Sequence, residues 1–117
     1  MKNFSTLADL PHFDQTLDLA MVLKKNPSQW DGLGKGKTLG LLFFNPSLRT
    51  RLSTQKAAQN LGLHTMVMNF SQESWALELE DGTKMSGLRS EHVKEAAAVV
   101  SQYCDRIAIR AFASLSD

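Results

Sequence analysis

The chain has 117 residues, enough for one compact domain, and an apolar share of 43%, ordinary for a water-facing protein. Its formal charge of +1 gives no field for general nucleic-acid binding or for an anionic membrane surface. The single cysteine, Cys104, cannot close an internal disulfide, no apolar run is long enough to span a bilayer, and the N-terminus shows no signal-peptide core. A cytoplasmic setting is therefore the expectation.

Taken in chain order, Pro11 opens the first helix candidate, where proline is tolerated in a first turn. Phe13, Leu17, Ala20 and Met21 recur at helical spacing, Lys24 and Lys25 suit its C-terminal end, and Asn26-Pro27 stops it. Residues 31 to 37 are rich in glycine and lysine and read as a loop. Thr38 to Phe44 is an apolar run of buried-strand type, and Leu48 to Leu61 is a helix closed by Gly62. A second strand is expected over His64 to Phe70. Residues 71 to 87 are polar and irregular, although Trp75, Leu77 and Leu79 alternate.

The third helix is expected to begin near Ser90, with Ser90 as N-cap and Glu91 in the first turn. Val93, Ala96, Ala97, Val100 and Cys104 then mark a buried stripe. Asp105 leads into a third strand, Arg106 to Ala111. Strands alternating with helices imply an α/β fold, a parallel sheet with flanking helices.

The chemistry concentrates in Phe43-Phe44-Asn45-Pro46-Ser47-Leu48-Arg49-Thr50-Arg51, where a strand hands over to a helix. A helix N-terminus offers unpaired N–H groups and the positive end of the dipole, which suit an anion. Ser47 alone could be an ordinary cap. Arg49 and Arg51 in the first turn cost a few tenths of a kcal/mol unless an anion compensates them. Together these residues predict a phosphate site. Arg110 falls at the carboxyl end of the third strand, and ligands of open parallel sheets gather beyond those ends, so Arg110 and the Ser47 loop are expected in one crevice.

This string resembles the phosphate-binding motif of the aspartate/ornithine carbamoyltransferase family, where Ser-Thr-Arg-Thr-Arg is usual. The form Phe-Phe-Asn-Pro-Ser-Leu-Arg-Thr-Arg is more similar to the N-acetyl- and N-succinylornithine branch, and Leu52-Ser53-Thr54-Gln55-Lys56-Ala57-Ala58 to its succinyl type. The resemblance covers nearly the whole chain but only the family's N-terminal part. It implies a truncated carbamoyl-phosphate domain of the transcarbamylase fold over residues 1–117, incomplete and without the amine-substrate domain. A fragment or a deliberately cut piece is the expectation.

By resemblance, Ser47, Arg49 and Thr50, with the backbone of Leu48, hold the phosphate of carbamoyl phosphate. Arg51 either joins them or holds the loop through an internal ion pair; both readings stay open. Arg110 is implied to touch phosphate and carbonyl oxygen and, with Thr50, to be the catalytic group of this half-site. Trp75 is implied to enter a neighbouring subunit's site in a homotrimer. At Ser90 the acetyl type carries glutamate and the succinyl type proline. Met85-Ser86-Gly87-Leu88-Arg89 also departs from the branch's usual Met-Asp-Gly-Asp, so the acyl group is left open and helix capping is the expected role of Ser90.

The implied reaction carbamoylates the side-chain amine of an N-acylornithine for arginine synthesis, with no cofactor and no metal. The rival readings are an ordinary ornithine or aspartate carbamoyltransferase, and a non-catalytic anion-binding or trimer-forming module. Gly32-Leu33-Gly34-Lys35-Gly36-Lys37-Thr38 imitates a nucleotide P-loop, but it is one residue short and precedes a strand instead of following one. His12, His64 and His92 lack metal-ligand spacing.

Overall fold

Thr38–Phe43 (β1) is the strand on which the rest is assembled, because its run of leucines and phenylalanine has neighbours on both edges. The computed structural model describes residues 3–70 and 86–112, and for 86–93 it describes the backbone only. Three parallel strands form one sheet in the order β2-β1-β3, with β2 at His64–Asn69 and β3 at Arg106–Arg110. The central place of β1 leaves Leu41 1% and Phe43 3% exposed, and these two with Leu42, Ala58 and Phe70 are the buried apolar residues among those described.

Among the described residues, three α-helices accompany the sheet: α1 (Phe13–Lys25), α2 (Leu48–Asn60) and α3 (Ser86–Tyr103). A short 3-10 turn, Leu7–Asp9, precedes them and was not anticipated. Its Asp9 carboxylate accepts the N–H groups of Ser5 (2.8 Å) and Thr6 (2.9 Å), which lowers its pKa below the ordinary 3.8. α1 begins at Phe13, two residues beyond Pro11. The His12 carbonyl accepts the Thr16 N–H at 3.1 Å and the Thr16 hydroxyl at 3.2 Å.

Of the glycines in residues 32–36, Gly34 is the one that packing requires. Gly34 N–H donates to the Leu61 carbonyl at 2.8 Å, and a Cβ there would meet that same oxygen at 2.8 Å. Gly62, at φ +81°, turns the chain from α2 into β2 as a left-handed C′ residue. Asp105 ties the lower ends of β1 and β3 together. Its N–H donates to the Thr38 carbonyl at 2.9 Å, and its carboxylate accepts the Thr38 N–H at 2.8 Å.

Three expectations need correction. α3 starts at Ser86, so Ser90 is an interior helical residue and not an N-cap. The predicted stripe along it is shallower than expected: Ala96, Val100 and Cys104 are half-buried and Ala97 is exposed, while the side chain of Val93 lies outside the described residues. Small residues at helical spacing fix which side faces the sheet but not how closely it approaches. Cys104 approaches closely, because a Cβ on Gly40 would lie 2.7 Å from its Sγ. The strands are each one residue shorter than read, ending at Phe43, Asn69 and Arg110. Trp75, the alternation around it and the acidic run of Glu73, Glu78, Glu80 and Asp81 lie outside the described residues.

Candidate functional site

The strand order decides where a site can form. From β1 the chain passes to β2 on one side, and β3 lies on the other side of β1. In open parallel sheets the usual ligand position is a crevice beyond the carboxyl ends of the strands, here those of β1 and β3. Phe43 is in register with Arg110, so the two strands end level at this crevice.

The residues after β1 form the first wall. Ser47 is extended (φ −160°, ψ 111°) and caps α2, its Oγ accepting the Thr50 N–H at 3.3 Å. The Ser47 hydroxyl donates to Thr50 Oγ1 at 3.0 Å. Leu48 and Arg49 are the first two helical residues, whose N–H groups have no intrahelical acceptor by construction of a helix. No acidic residue occupies the first turn, while Arg49 and Arg51 do, both exposed. The dipole and both guanidinium groups thus act with one sign.

The second wall is the end of β3. Arg110 Nη1 donates to Thr50 Oγ1 at 3.0 Å, across 60 residues of sequence. Thr50 Oγ1 accepts from both Ser47 and Arg110, which leaves its own proton free to donate outward. Arg110 Nε is buried and has no hydrogen-bond partner among the described residues. An orphaned guanidinium N–H costs roughly 1–3 kcal/mol, which an arriving acceptor oxygen removes after a small side-chain shift.

The structure joins Ser47, Thr50 and Arg110 through hydrogen bonds, with Leu48 and Arg49 in the same first turn of α2. Arg51 points elsewhere: its Nε donates to Gln55 Oε1 at 3.4 Å, so its partner among the described residues is a neutral amide and not a carboxylate. Trp75 lies outside the described residues. Three residues at the crevice were given no role of their own from the sequence. Phe44 N–H donates to the Arg110 carbonyl at 2.9 Å, Asn45 Oδ1 accepts the Phe112 N–H at 2.7 Å, and the Phe112 ring lies 4.5 Å from the Arg110 guanidinium carbon.

The described residues contain no group of three or more acidic, histidine or cysteine side chains able to hold a metal. A groove of about 550 Å³ runs between Gln55, Lys56 and Gln59 of α2 and His64 and Thr65 at the start of β2. It adjoins the amino end of β2, whereas the donors converge beyond the carboxyl ends of β1 and β3. The shallow crevice with the donors is the better candidate.

Fold and crevice together describe a parallel α/β domain with a cationic, donor-rich crevice beyond the carboxyl ends of β1 and β3. Residues 2–117 match the family described as aspartate/ornithine carbamoyltransferase, carbamoyl-P binding domain, and the chain belongs to that family. It is 45% identical over 117 residues to the N-succinylornithine carbamoyltransferase of Bacteroides thetaiotaomicron, which covers 100% of this chain and 37% of that protein. It is 40% identical over 107 residues to the N-acetylornithine carbamoyltransferase of Xanthomonas campestris pv. campestris, covering 89% and 30%. A solved structure of an N-acetyl-L-ornithine transcarbamylase variant complexed with carbamyl phosphate and N-succinyl-L-norvaline superposes with a TM-score of 0.74 at 38% identity. It covers 100% of this chain and 35% of that one. The chain therefore spans about a third of the length of the relatives it matches.

Proposed function

We propose that residues 1–117 form the carbamoyl-phosphate-binding half of a carbamoyltransferase acting on the side-chain amine of an N-acylornithine, in arginine biosynthesis. The observation that carries this reading is the 3.0 Å bond from Arg110 to Thr50, which sets a strand-end guanidinium against a cationic helix N-terminus. The names of the succinyl- and acetylornithine relatives support the substrate class.

In this reading the N–H groups of Leu48 and Arg49, the Arg49 guanidinium and the hydroxyls of Ser47 and Thr50 hold the phosphate. Arg110 spans phosphate and carbonyl oxygen. The amine lone pair attacks the carbonyl carbon, and the carbonyl electrons move to the oxygen, where Arg110 stabilises the developing charge. The intermediate collapses with cleavage of the bond from carbon to the phosphate oxygen. Inorganic phosphate leaves with the proton released by the amine, and the product is an N-acylcitrulline. The chain's own part is positioning and charge stabilisation.

The proposal extends to a cytoplasmic homotrimer in which Trp75 completes a neighbour's site. It also holds that the 117-residue chain binds carbamoyl phosphate without turning it over. Holding both reactants in attack geometry contributes roughly 7–11 kcal/mol, and the residues assigned here hold one of them. Calorimetric titration of the chain with carbamoyl phosphate tests the binding half; no saturable heat at millimolar ligand overturns it. Incubation with carbamoyl phosphate and N-succinyl-, N-acetyl- or free ornithine tests the rest, and sustained product formation refutes the division of labour. For Trp75, mixing Trp75→Ala with Arg110→Ala subunits of a full-length trimer restores activity; confirmed mixed trimers without recovery place the residue outside a shared site.

A further inference from the structure

Arg110 is held more firmly than a strand-end arginine needs to be. Beyond the last register pair, Phe43 with Arg110, the two strands should part. Instead the Arg110 carbonyl accepts the Phe44 N–H at 2.9 Å, and two residues later the Phe112 N–H donates to Asn45 Oδ1 at 2.7 Å. The second of these bonds returns the chain so that the Phe112 ring lies 4.5 Å from the guanidinium carbon of Arg110, within cation–π range. Phe112 is 63% exposed, so burial of its ring does not account for this placement.

We propose that Asn45 and Phe112 are positioning residues for Arg110, acting as a clamp that presents its guanidinium to the carbonyl of carbamoyl phosphate. This inference rests on the function proposed above. Asn45 suits the task because its amide oxygen accepts a backbone N–H while remaining neutral; an aspartate there would place a negative charge beside an anion site. Phe112 suits it because an aromatic face holds a cation without competing for its N–H groups. With one Nη1 N–H spent on Thr50 and a face of the guanidinium set against the ring, the remaining N–H edge is left for the ligand.

The test compares the 117-residue chain with Phe112→Leu, Phe112→Tyr and Asn45→Ala, titrating each with inorganic phosphate and with carbamoyl phosphate. Phosphate is met mainly by the Ser47–Thr50 turn, whereas only carbamoyl phosphate presents a carbonyl to Arg110. Phe112→Leu and Asn45→Ala are expected to weaken carbamoyl phosphate about fivefold, within the range of a lost cation–π contact, and phosphate less than twofold. Phe112→Tyr retains wild-type values. The Arg110 Nε–H resonance, shifted by the ring current in the wild type, loses that shift in Phe112→Leu and keeps it in Phe112→Tyr. Equal losses for both ligands, or none for carbamoyl phosphate, overturn the clamp while leaving the function intact. A wild-type chain that binds neither ligand overturns the proposed function and the clamp together. If Phe112→Leu does not fold, Asn45→Ala and the Arg110 resonance decide the matter by the same criteria.

Discussion

Replacing Thr50 by valine removes one oxygen and keeps the shape of the side chain, so its consequences can be worked from the geometry. Thr50 Oγ1 is the junction of two hydrogen bonds, from Ser47 at 3.0 Å and from Arg110 at 3.0 Å. The first is neutral and worth about 1 kcal/mol; the second has a charged donor and is worth about 1.5–3 kcal/mol. Both sites are half-buried, and water takes over part of what is lost. Valine and threonine have similar helix propensities, so the backbone contributes little. The expected destabilisation is about 2 kcal/mol, or roughly thirtyfold in the unfolding constant. Urea denaturation measures it. Carbamoyl phosphate affinity falls as well, by about tenfold, because the outward Thr50 proton and the tether of Arg110 disappear together. Thr50→Ser restores both quantities. A Thr50→Val chain with wild-type stability and wild-type affinity would refute the idea that this hydroxyl joins the two walls of the site.

Other outcomes follow from the same coordinates. Arg49→Ala abolishes phosphate-dependent thermal stabilisation, since a charged hydrogen bond to an anion is worth about 1.5–3 kcal/mol; thermal scans with and without phosphate check it. Gly40→Ala places a Cβ 2.7 Å from Cys104 Sγ and destabilises by about 1–3 kcal/mol, and adding Cys104→Ala recovers part of the loss in a double-mutant cycle. Leu41→Ala, at the most deeply buried site described, costs about 2–5 kcal/mol by denaturant unfolding. Asp9 has a folded pKa below its unfolded one, so the ordering of Ser5 and Thr6 is complete above the ordinary aspartate value and is lost as pH falls through the lowered one. An NMR titration of the Ser5 and Thr6 amides follows that loss, and Asp9→Asn removes the pH dependence.

The strand-to-helix handover at Ser47 was legible because the local rules agree there: an apolar run, a capping residue and two cations that nothing local compensates. Arg110 was legible because a strand's end can be read from its residues and parallel topology assigns that end to the ligand side. The start of α3 was misplaced because Ser90-Glu91 has the composition of an N-terminus, whereas the helix forms from Ser86 through Gly87 despite that residue's low propensity. Asn45 and Phe112 were illegible for a different reason. Their bond spans 67 residues and joins two loops, where no periodicity exists to reveal a partner. The depth of the α3 stripe was hidden likewise, since spacing gives direction and not distance.

The 60 residues between Thr50 and Arg110 also have a meaning in time. At about 5–20 residues per second, a ribosome that has delivered the Ser47 turn needs roughly 3–12 s more to deliver Arg110. Until then β1 can pair with β2 alone, with its other edge open and the arginines of the turn facing no partner wall. The nascent chain therefore passes through an interval in which the helix N-terminus is already assembled but Arg110, to which the proposed function assigns the carbonyl, is not yet present. The two walls of the proposed site are therefore joined only when β3 emerges, well after the turn itself is complete.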